Sequence, residues 1–148
     1  MQESSFKFCD PRLIKLEYEL RPEFKKKDGV HFQNSFSVAI NRAQEKKEAI
    51  VELTIVIGDS EKSENIPYGL LAIIGAKFYW NVDYDESMIG SLLSINAPAL
   101  LLSYARPIIA SITNASGRKA FNIPFIDFTN SISESFLQGA EESLPENN

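Results

Sequence analysis

Three stretches of this chain alternate apolar and polar side chains with the period of a β-strand. From Arg12 to Leu20, the residues Ile14, Leu16, Tyr18 and Leu20 alternate with Lys15, Glu17 and Glu19, which places the apolar set on one face of a pleated strand. Phe36, Val38 and Ile40 alternate with Ser35, Ser37, Ala39 and Asn41, and Val51, Leu53, Ile55 and Ile57 alternate with Glu52 and Thr54. A fourth stretch, Tyr68 to Trp80, differs. Leu70, Ala72, Ile74, Ala76, Phe78 and Trp80 share one face, yet Leu71, Ile73 and Tyr79 make the other face apolar too, as in a strand covered on both sides. The links hold Asp28-Gly29, Glu45-Lys46-Lys47 and Gly58-Asp59-Ser60, which read as turns. No link before residue 80 has room for a crossover helix, so the strands are predicted to form an antiparallel sheet. The 25–34 link is longer than a tight hairpin needs, which allows a crossover between non-adjacent strands.

Further along, the period becomes helical. Leu101, Ala105, Ile108, Ile109 and Ile112 form one apolar stripe. Asn96 is expected to cap this helix, Pro98 to sit in its first turn and Gly117 to end it. Pro107 removes a backbone hydrogen bond and predicts a kink near Ser103 to Pro107. Phe128, Ile132, Phe136, Leu137 and Ala140 predict a second helix, capped by Ser131 in a capping box, or by Asp127 or Thr129. Residues 1–10 and 141–148 are expected to fray. Strands followed by helices make an α+β fold, expected as a single domain over residues 1–148.

Composition narrows the function. With 44% apolar and 24% charged residues, the chain is ordinary globular material. A net charge of -5 opposes a nucleic-acid partner, whose phosphates require a basic face. Lys25-Lys26-Lys27 is flanked by Glu23 and Asp28 and reads as a solvated loop. The single cysteine, Cys9, excludes an internal disulfide and a cysteine-based zinc site. Neither a signal peptide nor an apolar run of membrane-spanning length is evident, so a cytoplasmic location without membrane insertion is expected.

Candidate chemistry is sparse. His31 is the one histidine, so no His pair can hold a metal. A Cys9–His31 nucleophile pair has no local signature. The glycines are scattered and form no phosphate loop, and the carboxylates are dispersed, with Glu17 and Glu19 on one strand face and Glu52 expected near them. No active site and no cofactor are expected, and the chain does not read as an enzyme.

One stretch resists this bland reading. Ala120 to Phe128, AFNIPFIDF, follows the turn Gly117-Arg118-Lys119 and packs Phe121, Ile123, Phe125, Ile126 and Phe128 into a connection. Connections usually lie on the surface, so these side chains either plug a core or touch a partner. If the stretch is extended, Ile123 and Ile126 lie to one side and Phe121 and Phe125 to another, so about half of the set is expected in the core.

The helical stretch Asn96-Ala97-Pro98-Ala99-Leu100-Leu101-Leu102-Ser103-Tyr104-Ala105-Arg106 resembles the Pro-x-Leu-Leu-x-x-Tyr-x-Arg helix of the SecB family of export chaperones. Ile123-Pro124-Phe125-Ile126-Asp127-Phe128 is similar to the ending of the loop that follows it in that family. Val30-His31-Phe32-Gln33 is similar to its crossover loop. The close match covers residues 96 to 128. Pro107, a milder net charge and a tail without basic or metal-binding character depart from the family pattern.

The resemblance implies a homotetrameric holdase, a dimer of dimers, that keeps unfolded preproteins competent for translocation. It implies an apolar client groove walled by the crossover loop and the interhelix loop, here Phe24, Val30, Phe32, Phe36, Phe121, Ile123, Phe125 and Ile126. It also implies an acidic sheet face at Glu17, Glu19 and Glu52 for docking the SecA export ATPase. Relatives dedicated to one client, such as an antitoxin, make a single-partner chaperone or adaptor the alternative. A small-molecule binder or enzyme built on the sheet is a third reading.

Overall fold

The computed structural model describes residues 1–22, 24, 34–43, 45–58 and 66–130. Five strands form one antiparallel sheet: β1 (Phe6–Phe8), β2 (Arg12–Leu20), β3 (Asn34–Arg42), β4 (Glu48–Ile57) and β5 (Tyr68–Trp80). β5 is the hub. β1 and β2 pair in succession along one of its edges, β4 pairs along the other, and β3 closes the sheet beyond β4. β2 and β3 therefore lie on opposite sides of the β4–β5 pair and are not neighbours in the sheet.

The four expected strands are present, with β2 and β5 at the expected bounds. β1 is additional, because Phe6–Phe8 lies within the stretch expected to fray. It is held by pairing with Phe78 to Trp80, and the Phe6 ring stacks on Phe78 at 5.5 Å between centroids. β2 carries a bulge between Leu13 and Lys15. One extra residue shifts the alternation, so Ile14 does not join Leu16 on the core face. Its terminal methyl lies over Gly75 on the opposite face, where a Cβ would meet it at 2.9 Å.

The helical part begins earlier than expected, at α1 (Glu86–Ser91), passes through a wide π-helical turn at Leu92–Asn96, and continues as α2 (Ala97–Ala115). The expected cap at Asn96 is corrected. Asn96 has helical backbone angles and makes no capping bond. Asp85 is the cap, its Oδ1 accepting from the Met88 N–H at 2.7 Å. The wide turn has a local cause. Pro98 has no N–H to donate to Ser94, and its ring crowds that carbonyl; the Ala97 N–H donates to Leu92 instead, five residues back. α2 runs on through Pro107, whose ring lies on the exposed side.

Leu93, Ala97, Leu101, Ala105 and Ile109 are buried, and α2 packs on β4 and β5. Val51, Leu53, Ile55 and Ile57 of β4 and the even-numbered residues of β5 face them and complete the core. Ile108 and Ile112 are half-buried, and Thr113 takes the buried place at the end of the stripe, its hydroxyl donating to the Ile109 carbonyl at 2.8 Å. Glu86–Ala115 is 30 residues long and contains an 18-residue window with a mean hydropathy of 1.4, enough by length and composition to cross a membrane. The sequence reading found no such run, because polar residues interrupt it. In this fold its apolar stripe lies on the sheet.

Candidate functional site

The chain leaves α2 at Gly117, whose φ of 78° lies in the left-handed region that glycine tolerates. It then turns back alongside the helix. Three ties hold the returning segment. The Phe121 N–H donates to Thr113 Oγ1 at 2.8 Å. The Arg106 guanidinium donates from Nη1 to the Ile123 carbonyl and from Nη2 to the Pro124 carbonyl, the latter at 3.0 Å. Phe128 is buried and opens a short 3-10 turn, Phe128–Asn130, which packs near the π turn. Asp127 caps that turn by accepting from the Thr129 N–H at 2.9 Å, and the bonds from Thr129 hold its carboxyl below the usual aspartate range. Tyr18 on β2 fastens the helix exit to the sheet, its hydroxyl donating to Ser116 Oγ at 2.6 Å.

The apolar residues of this segment divide sharply. Ile123 is 4% exposed and belongs to the core, so its place among the client-binding residues is corrected: its side chain is buried while its carbonyl accepts from Arg106. Phe121 and Ile126 are half-buried and packed against the core. Phe125 is 102% exposed. Expecting Phe121 and Phe125 on a side apart from Ile123 captures part of this, but only Phe125 is free of the core.

Phe36 points to the core face of β3 and is half-buried. Phe24 is half-buried too, with the Arg118 guanidinium 5.5 Å from its ring centroid, which brings the start of the β2–β3 connection beside the start of the interhelix segment. Val30, Phe32 and His31, the lysine run and the second-helix residues from Ser131 onward lie outside the described residues.

The acidic set does not form one cluster. Glu17 and Glu19 are exposed on β2, opposite Leu71 and Gly69, whereas Glu52 on β4 is half-buried opposite Gly75. The offset from Leu71 to Gly75 alone separates Glu17 from Glu52 by about 13 Å along the strand direction. Lys15 also pairs with Glu17 at 3.1 Å. Beside Glu17 and Glu19 opens a hollow of about 610 Å³, lined also by Tyr18, Arg21, Gly69 and Leu71. Arg21 crosses Gly69 to donate to the Gly58 carbonyl at 3.0 Å.

Nothing in the described geometry resembles a catalytic constellation. Tyr68 has its hydroxyl pKa pushed up to about 12 by burial and, secondarily, by Tyr18, so it stays neutral. Among the described residues no three His, Cys, Asp or Glu side chains gather where a metal could bind. The residues that sequence reasoning missed are Arg106 and Thr113. Their signal was faint: a charged and a hydroxyl side chain on an otherwise apolar helix, followed by a connection too apolar to stand free.

Comparison with known proteins yields no matching family model and no matching curated protein. Solved structures do match. A protein of unknown function from Streptococcus agalactiae aligns over 81% of this chain and 97% of its own, at 16% identity and a TM-score of 0.46. The Mycobacterium tuberculosis SecB-like chaperone Rv1957, solved with a ChAD peptide from the Rv1956 HigA1 antitoxin, aligns over 82% of this chain and 91% of its own, at 12% identity and a TM-score of 0.67. The chain thus has the fold of a SecB-like chaperone.

Proposed function

We propose that this protein is a polypeptide-binding chaperone that holds a client in an extended, aggregation-shielded form and serves one dedicated partner. The observation that carries this reading is the fold shared with a SecB-like chaperone over most of both chains, in a complex whose bound peptide comes from an antitoxin. The interhelix segment supports it, since Phe125 stands exposed there without any part in the core. Half-buried Phe24, Phe36, Phe121 and Ile126 supply further apolar surface of the kind that binds by area. Aggregation of several unrelated unfolded proteins, and of the product of each neighbouring gene, is the test. Protection of a single neighbour-encoded protein is expected. Broad protection replaces the dedicated role with a general holdase role in export, and no protection of any client rejects the chaperone reading.

The working unit of the proposal is a homo-oligomer, a dimer at least and a dimer of dimers in full. Leu71, Ile73 and Leu100 are only half-buried, and Tyr79 and Tyr104 are exposed; the bulge adds Ile14, 54% exposed, to the same outer face as Leu71. Such surface calls for cover. A monomer mass by light scattering at micromolar concentration rejects it. Docking of the SecA motor on Glu17, Glu19 and Glu52 is tested by charge reversal at all three. Salt-dependent loss of motor binding with client binding intact supports it, and unchanged binding makes these residues a solvated surface. The proposed compartment is the cytoplasm, where an exposed free thiol such as Cys9 stays reduced.

A further inference from the structure

A single exposed aromatic residue is common on protein surfaces and by itself means little. What sets Phe125 apart is the backbone beneath it. Consecutive carbonyls point to opposite sides of an extended chain, yet those of Ile123 and Pro124 converge on one guanidinium. Such a fork holds two acceptors in fixed relative geometry. Pro124 restricts its own φ, and the Ile123 side chain is sunk in the core. On the other flank Ile126 packs against the core, Asp127 caps the next turn and Phe128 is buried. Phe125 is therefore a fully solvated ring on a backbone fixed at both sides.

Arg106 itself lies partly buried on α2, and its guanidinium donates to two successive carbonyls of this segment. A segment that needed only to seal the core would be served by Ile123 and Phe128 alone.

We infer that Arg106 is the positioning residue of a preformed aromatic anchor: it locks Ile123–Pro124 so that Phe125 is presented, already ordered, to an extended apolar segment of the bound client. This rests on the chaperone reading and adds to it the residue that sets the strength of capture. A side chain ordered before binding loses less entropy when it is buried, and central aromatic anchors dominate binding where they occur. The gain falls on the dissociation rate.

The test is a double-mutant cycle between Arg106 and Phe125 in the full-length protein, read by two independent measurements. The first is dissociation of a fluorescently labelled, permanently unfolded test protein (reduced and carboxymethylated). R106A is expected to speed dissociation about tenfold and F125A at least as much, while R106A/F125A releases no faster than F125A alone, because Arg106 acts through Phe125. R106K, which keeps the charge but loses the fork, falls between wild type and R106A and remains available if R106A folds poorly. The second measurement is fluorescence anisotropy of an F125W reporter, corrected for Trp80. It should fall on adding R106A and recover in part with R106K, at unchanged circular dichroism.

Equal effects of R106A with and without Phe125 would overturn the inference, since the arginine would then act independently of that ring. So would an unchanged dissociation rate in R106A, or reporter anisotropy indifferent to it. Failure of the wild-type protein to bind the unfolded test protein counts against the chaperone reading instead, and the anisotropy measurement still judges the clamp.

Discussion

The two faces of the central sheet are built from equally ordinary strand residues but meet different surroundings. On β4, Val51, Leu53, Ile55 and Ile57 are completely buried, while their neighbours Ile50, Glu52, Thr54 and Val56 are all partly exposed. The first set faces α2. The second, with Leu71, Ile73 and Ile14, faces outward, and no helix among the described residues packs on it. Apolarity of a strand face therefore does not tell whether that face is core: cover comes from elements distant in sequence. The same contrast recurs within the interhelix segment, where Ile123 and Phe125 stand two residues apart with opposite fates.

Substitutions on matched positions sharpen this contrast. The largest effect is expected for Leu53→Ala on the inner face, which removes fully buried methyl groups and should cost about 2–5 kcal/mol in chemical denaturation. Ile73→Ala on the outer face should cost about 1 kcal/mol or less in the isolated chain, since it is already partly solvated. If the two cost the same, the outer face is as covered as the inner. Next, Phe121→Ser should lower stability by about 1–3 kcal/mol, short of a full core deletion because the ring is half-buried. Phe125→Ser should change it by less than about 0.5 kcal/mol while weakening client capture. Thermal unfolding paired with an aggregation-suppression assay separates the two, and a large fall in melting temperature for Phe125→Ser would place that ring in a core.

Ile73→Asp is expected to act on assembly more than on folding. A charge in the middle of the outer apolar surface should shift the mass toward monomer by light scattering, at nearly unchanged circular dichroism.

The smallest effect is electrostatic. Lys77, Lys47 and Arg42 hold the carboxyls of Glu48, Asp83 and Glu86 below their ordinary values, in each case chiefly by a side-chain hydrogen bond. A folded pKa below the unfolded one contributes stability at neutral pH. That contribution is lost as the pH falls through the ordinary values of 4.5 and 3.8 toward the lower folded ones. Two of the pairs join α1 and the residues before it to the β3 and β4 ends of the sheet, and the third, Lys77–Glu48, links β5 to β4. All are solvated, so the loss should be slight and further reduced by salt. Melting scans from about pH 7 to about pH 3, with Glu86→Gln flattening part of the slope, measure it.

Some of this architecture is plain in the chain, and the reasons are local. β2 and β5 appear at their expected bounds because alternation and flanking turn residues act within a few positions of each other. β1 was hidden because Phe6, Lys7 and Phe8 are too short a pattern to register alone; pairing with the end of β5 makes them a strand. The helix start was misplaced because Asn96 and Pro98 together imitate an N-terminus, while Asp85 holds the actual cap. The Pro98 signal was real but marked a wide turn inside the helix.

By itself, then, the sequence determined the α+β order, the antiparallel pairing and the apolar character of the interhelix segment, since each depends on side-chain period and turn chemistry over short range. Which apolar residues became core was decided only in three dimensions. Ile14 left the core face because one bulged residue reversed its direction. Thr113 entered the core because its hydroxyl finds the Ile109 carbonyl within the helix and the Phe121 N–H beyond it. Ile123 and Phe125 parted where Arg106, on another element, bonds the carbonyls of Ile123 and Pro124. Burial is a property of what lies opposite a residue, and no short-range pattern contains that.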